Sequence, residues 1–229
     1  MDAVPMKIIA KMRSDFPEKF GIPRQSGLVA ELVSTIIFEP EYRNADALRG
    51  LEDFSHLWII WQFSKAVREG WSPTVRPPRL GGNTKMGVFA TRSPFRPNEI
   101  GLSSVKILSI EATEQYGTVI HVAGADLMDG TPIFDIKPYI PYCDCHPEAS
   151  GGFTSSADDY LLKIDDPNNL LDKLPPEKAQ RLLGVLSHDP RPSYKTDSDR
   201  VYGMNFADYN IRFTIQDNTL TIKEITEVE

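Results

Sequence analysis

The chain has 229 residues, 41% hydrophobic and 25% charged, with 18 prolines and 15 glycines. That is the composition of an ordinary globular protein, with enough chain to bury a core without staples. The net charge is −7, from 25 Lys and Arg against 32 Asp and Glu, which excludes a uniformly basic nucleic-acid coat. No apolar run approaches the ~18 residues of a membrane span, and residues 1–11 lack a signal-peptide core with a small-residue cleavage site. The two cysteines, Cys143 and Cys145, are separated by one residue. Such near neighbours seldom form a structural disulfide, so a reducing, cytoplasmic location is expected.

The first 140 residues read mostly as strands. Lys7 to Ala10 is a short apolar run, and Leu28 to Phe38 is rich in β-branched residues and ends before Pro40. Between it and Phe54 to Phe63, an aromatic and isoleucine-rich run, lies a turn or two of helix closed by Gly50. Met86 to Thr91, Ser103 to Ile110, Thr118 to Ala123 and Ile133 to Ile136 are further strand candidates. Short strands in succession predict a mainly β fold, a sandwich or a barrel. From Cys143 to Asp166 the chain is polar and acidic, which reads as a linker or long loop. Pro175-Pro176-Glu177 opens a helix to about His188, with Leu182, Leu183, Val185 and Leu186 on its apolar face. Val201 to Ile215 and Leu220 to Ile225 then predict a hairpin turned at Asp217-Asn218. The expected division is a β domain over 1–142, a linker over 143–174, and a small α+β domain over 175–229.

Charge is unevenly spread. Lys65 to Lys106 holds eight Lys or Arg and two acids, a local balance of +6, and the rest of the chain carries −13. This points to a local anion site. The segment contains Arg76-Pro77-Pro78-Arg79, Gly81-Gly82-Asn83 and Arg92-Ser93-Pro94-Phe95-Arg96-Pro97-Asn98. Proline stiffens such loops and arginine binds phosphate or carboxylate through paired hydrogen bonds. The competing reading pairs these arginines with the surplus acids.

Other candidates are Asp129-Gly130-Thr131-Pro132, either a tight turn or a small-ligand clamp, and the stiff turn Pro23-Arg24-Gln25. His56, in an apolar run, reads as a packed histidine. The remaining histidines have no metal spacing with one another or with the cysteines, so no metal is assigned. No phosphate-binding glycine loop, serine elbow or dinucleotide fingerprint is present, which argues against a doubly wound nucleotide fold. The residues alone yield a β domain with an arginine-rich anion site, and no reaction.

The strings Pro77 to Asn83, Gly87 to Asn98, Asp129 to Pro132 and Asp135 to Tyr139 are long and unusual. With Pro23-Arg24-Gln25, Arg49 to Glu52 and Asp189 to Pro192, they make the chain closely similar to the TrmO (TsaA-like) family of bacterial tRNA methyltransferases. The resemblance implies a β-barrel domain that binds S-adenosylmethionine (SAM), and methylation of N6 of threonylcarbamoyladenosine beside the tRNA anticodon. It implies SAM contacts from Pro23, Arg24, Gln25, Ser64, Lys65, Arg92, Leu102 and Asp129, Gly130, Thr131 and Pro132, and a homodimer. The family commonly has a His-Gln pair where this chain has Ser64-Lys65, and a proline at Glu99. On that reading Asp129 is the candidate proton acceptor. Arg76, Arg79 and Arg96 are candidates for the threonyl carboxylate, and Asn83 belongs to the same substrate loops. Phe95 and Trp71 are candidates for base stacking, and Arg191, Tyr194, Lys195 and Arg200 for tRNA contact. The alternatives are an RNA-binding module without chemistry, and a SAM-dependent enzyme with another acceptor.

Overall fold

The computed structural model describes residues 4–154, 161–191 and 200–228, without the side chain of Arg79. Two sheets carry two separate cores. The first is built from β1 (Ala10–Arg13), β2 (Val33–Phe38), β3 (His56–Gln62), β6 (Ile100–Thr113), β7 (Gly117–Ala123) and β8 (Pro132–Pro138). Its order is β1-β2-β7-β6-β3-β8, and β8 pairs back onto β1 with Ile133 opposite Ala10, so this antiparallel sheet closes on itself. A two-stranded ribbon of β4 (Thr74–Val75) and β5 (Met86–Gly87) stands apart.

Alternation sets which face is inside. In β3, Leu57, Ile59 and Trp61 are buried while their neighbours are not, and β2 buries Ser34, Ile36 and Phe38 in the same way. The apolar ones among them, with Val105, Ile120, Val122, Leu127 and Ile133, form the first core.

The second sheet has the order β10-β11-β12-β9, from β9 (Lys163–Asp165), β10 (Tyr202–Phe206), β11 (Tyr209–Gln216) and β12 (Thr219–Glu227). The helices are the short α1 (Pro141–Asp144) and α2 (Pro176–Ser187). Leu182, Val185 and Leu186 of α2 join the second core. Asp217 and Asn218 both adopt positive φ, 47° and 63°, which suits the twist of a tight hairpin between β11 and β12.

The β1–β2 connection joins the two halves. Phe16, Val29 and Leu32 come from it yet lie in the second core, with Phe16 edge-on to Phe206 at 5.5 Å. Asp15 is salt-bridged to Lys178 at 3.5 Å and Arg181 at 3.2 Å, both on α2. Gly184 lets α2 approach closely, since a Cβ there would meet Val29 at 2.6 Å.

The structure corrects several sequence expectations. The strand expected from Leu28 starts only at Val33, because Val29 and Leu32 leave the sheet line to enter the other core. Lys7 to Ile9 precede β1, and Met86 to Thr91 gives two strand residues followed by a 3-10 turn at Val88–Ala90. The polar stretch after Cys143 is not all loop: β9 pairs parallel to β12, Ile164 lies opposite Leu220, and Leu162 and Leu174 are buried. The run from Val201 to Ile215 is itself a hairpin, broken at Ala207 where φ is 50°.

Candidate functional site

Five segments converge on a cavity of about 750 Å³, within the size range of small-molecule sites. The C-terminal end of β3 supplies Trp61, Phe63, Ser64 and Lys65, and the start of β6 supplies Ile100, Gly101 and Leu102. The β1–β2 connection brings Lys19, Pro23, Arg24 and Gln25. The loop before β6 brings Phe89, Arg92 and Arg96, and the β7–β8 loop brings Asp126, Met128 and Thr131.

Hydrogen bonds fasten these segments at the rim. Lys19 Nζ donates to the Lys65 carbonyl at 2.6 Å, and the Arg92 guanidinium donates to Gln25 Oε1. Arg24 donates to the Arg191 carbonyl at 3.0 Å, and Arg191 is salt-bridged to the buried Asp189 at 2.8 Å. The cavity edge is thereby tied to the end of α2. On the wall, Trp61 and Phe63 lie with ring centroids 4.3 Å apart. The neighbouring Trp58 is held by Asp144, which accepts from its indole N–H at 2.9 Å and from the Ile140 amide at 2.8 Å. These donors keep the Asp144 carboxyl below its ordinary value.

The interior carries one hydrogen-bonded chain. Trp61 Nε1 donates to Ser103 Oγ at 3.0 Å, and Ser103 Oγ donates to Asp126 Oδ1 at 2.6 Å. Burial pushes the Asp126 carboxyl above its usual range, and the Ser103 bond and the charge of Arg92 oppose that rise.

Of the residues singled out from the sequence, Pro23, Arg24, Gln25, Ser64, Lys65, Arg92, Leu102, Thr131 and Arg96 line this cavity. Asp129, Gly130 and Pro132 do not. Asp129 Oδ1 accepts from the Ser14 amide at 3.0 Å and the Gly130 amide donates to the Met12 carbonyl at 2.8 Å, so this turn buttresses β1. Asp129, the expected proton acceptor, thus caps a backbone amide and is not among the lining residues. Arg76, Asn83 and Phe95 are exposed outside the cavity lining, with the Arg68 guanidinium 3.7 Å from the Phe95 ring centroid. Trp71 is exposed, 6.0 Å from the ring of Phe89. The Arg79 side chain, Tyr194 and Lys195 lie outside what the structure describes. His56 sits beside Ser55 and the Tyr139 ring. Among the described residues no three His, Cys, Asp or Glu cluster as metal ligands, and no helix is long and apolar enough to cross a membrane.

The basic segment is not neutralised internally. Lys65, Arg68, Arg76, Lys85, Arg92, Arg96 and Lys106 form no salt bridge among the described residues, although the chain has a surplus of acids. Asp126 and Ser103 were missed from sequence. The available signal was a single acid inside the apolar stretch Val122 to Met128, where an acid must be partnered to be buried.

A ligand-sized cavity at the mouth of a closed antiparallel sheet, rimmed by cations that form no salt bridge among the described residues, has the geometry of a small-molecule site. The chain matches the family model of the tRNA-methyltransferase O N-terminal domain over residues 11–145, and the TrmO C-terminal domain over residues 155–228. It belongs to the TrmO family, as its motifs indicated. It is 40% identical over 225 residues to the tRNA (adenine(37)-N6)-methyltransferase of Escherichia coli K12, covering 95% of each chain. The enzyme of that name from Mus musculus is 42% identical over 138 residues, 58% of this chain and 30% of the mouse one. A crystal structure of TrmO from P. aeruginosa superposes with a TM-score of 0.80 at 29% identity, covering 99% of this chain and 98% of that one.

Proposed function

We propose that the chain is a SAM-dependent methyltransferase acting on N6 of threonylcarbamoyladenosine beside the anticodon of tRNA, in the cytoplasm. The observation that carries the reading is the cavity lined by Pro23, Arg24, Gln25, Arg92 and Leu102 and rimmed by cations that form no salt bridge among the described residues. The closed sheet would be the β-barrel cofactor domain over 1–142, with the second sheet and α2, from Leu162 on, as the C-terminal domain.

The lining suits SAM. Beside the buried Trp61, the half-buried Phe63 ring offers a stacking surface for adenine and a π-face for the sulfonium. Arg24 and Arg92 suit its carboxylate. When bound, SAM supplies an electrophilic methyl group. The chain's part is to hold the acceptor nitrogen in line with that methyl, and positioning of this kind supplies ~7–11 kcal/mol of a barrier. Arg96, in the cavity, and the exposed Arg76 suit the threonyl carboxylate and the tRNA backbone. The exposed Ile100 and Leu102 at the cavity mouth, with Leu108 beyond Lys106 on the same strand, suit a homodimer in which β6 is covered.

The test incubates the protein with labelled SAM and tRNA carrying or lacking the threonylcarbamoyl group, followed by nucleoside mass spectrometry. Methyl transfer to the modified tRNA alone is expected. Equal transfer to both removes recognition of the carboxylate. Transfer to neither, with SAM bound, overturns the acceptor assignment.

A further inference from the structure

We infer that Asp126 takes the proton released from the acceptor nitrogen during methyl transfer, and that Ser103, held by Trp61, is the residue that orients it. This rests on the methyltransferase reading above.

The chemistry requires such a group. An adenine N6 nitrogen acylated by a carbamoyl group is a weak nucleophile, because its lone pair is delocalised onto the carbonyl. As that nitrogen bonds to the methyl carbon, the carbon–sulfur bond breaks and sulfur keeps the electron pair. The N–H bond also breaks, and its proton must leave. In the assigned step it passes to the Asp126 carboxylate and from there to water, so charge and atoms balance without a further reactant.

The cavity leaves few alternatives. Its charged side chains are Lys19, Arg24, Lys65, Arg92, Arg96 and Asp126, and it holds no histidine. Five of these are cations at neutral pH, so among the described lining residues Asp126 is the one carboxylate that can accept a proton. Its position is built rather than incidental. Ser103 is 1% exposed and donates to Asp126 Oδ1 at 2.6 Å, while Trp61 Nε1 occupies the Ser103 oxygen from the other side at 3.0 Å. The Trp61 bond thereby points the serine proton at the acid. Asp129, the other carboxylate of the same loop, faces Ser14 instead. Burial raises the proton affinity of Asp126, which makes it a better base, while the Ser103 bond and the charge of Arg92 oppose that rise.

The experiment is single-turnover methyl transfer from saturating SAM to tRNA bearing threonylcarbamoyladenosine, measured against pH, with SAM affinity read by calorimetry. Asp126→Asn keeps the shape of the side chain and the Ser103 acceptor. It should bind SAM within about threefold of wild type, transfer methyl roughly 100- to 10,000-fold more slowly, and lose the acidic limb of the pH profile. Ser103→Ala removes a bond that holds the Asp126 pKa down, so its acidic limb should move to higher pH. That variant also keeps the inference testable should Asp126→Asn not fold. Near wild-type transfer by folded Asp126→Asn, beside an active wild type, overturns the inference alone. So does a loss confined to SAM affinity with the saturated rate intact. A wild-type protein that transfers no methyl to this tRNA overturns the function and the inference together.

Discussion

Gly101 lies opposite Trp61 across the β3–β6 pair, and the absence of a side chain is what makes room for the indole. A Cβ at Gly101 would stand 2.3 Å from Trp61 Cε2, closer than any real contact. Gly101→Ala must therefore move the ring. The consequence reaches further than packing, because Trp61 Nε1 holds Ser103. The variant should lose SAM affinity and shift the pH profile of methyl transfer together, with Tm lowered. Unchanged Trp fluorescence and unchanged affinity would show that the ring tolerates the methyl group.

Asp126 places a cost on stability. Its folded-state pKa is raised above the ordinary 3.8, chiefly by burial. At pH below the unfolded value both states hold the proton and there is no penalty. As pH rises through the window between 3.8 and the raised folded value, the unfolded chain releases its proton first, and folding loses stability until both are ionised. Asp126→Asn should thus raise Tm at pH 7.5 and leave it nearly unchanged near pH 3. Thermal melts at the two pH values check the sign, and equal shifts at both would contradict it.

Much of the fold was legible because its signals are local. The alternation in β3 and the apolar face of α2 appear in the sequence as period-2 and period-3.6 patterns, and Asp217-Asn218 reads as a hairpin turn. What was not legible depends on partners distant in sequence. Val29 and Leu32 look like strand residues, and only the presence of α2 and β10–β12 explains why they turn away. Lys163 to Asp165 has no alternation to speak of, and is a strand because β12 offers an edge. At the site, the arginine loops stood out by composition. Asp126 did not, since Asp129 three residues on sits in a more conspicuous turn and the difference between them is which neighbour each carboxylate meets.

Arg92 is exposed and bonded to Gln25, so its guanidinium is oriented toward the β1–β2 connection before any ligand arrives. Arg92→Ala should weaken SAM binding by about 1.5 kcal/mol, the lower end for a hydrogen bond to a charged group, because water screens it. Calorimetry on the folded variant measures this. Unchanged affinity would remove Arg92 from the cofactor site.

Phe16 is 1% exposed and packs on Phe206, yet its chain neighbours run on to Lys19 and Pro23 at the cavity rim. Phe16→Ala should cost about 3–5 kcal/mol of stability, the range for emptying a buried aromatic site. It should also weaken SAM binding, since the rim segment loses its anchor. Chemical denaturation and calorimetry report the two effects separately, and a full stability loss with intact affinity would show that the hydrogen bonds of Lys19 and Gln25 hold the rim unaided.

The protein is acidic overall, so its affinity for tRNA must come from the cations that its own acids leave unpaired. Arg76 is the clearest of these: it is exposed, lies outside the cavity, and has no hydrogen-bond or ion-pair partner among the described residues. Each phosphate neutralised releases condensed counterions, so binding should fall with salt along a log–log line whose slope counts such contacts. Wild type should show a slope of a few units, in keeping with a local basic segment of +6 rather than a basic coat. Arg76→Ala should flatten that slope by roughly 1 and weaken modified and unmodified tRNA alike, because a phosphate contact carries no information about the base. Arg96→Ala should behave differently. Its side chain lines the cavity and donates to the Thr91 carbonyl at 3.2 Å, which holds it against its own loop. If it meets the threonyl carboxylate, its loss should weaken only the tRNA that carries that group and leave the salt slope for unmodified tRNA unchanged. Filter binding of both variants to both tRNAs over a salt series separates the roles, and identical behaviour of the two variants would refute the assignment of Arg96 to the base and Arg76 to the backbone.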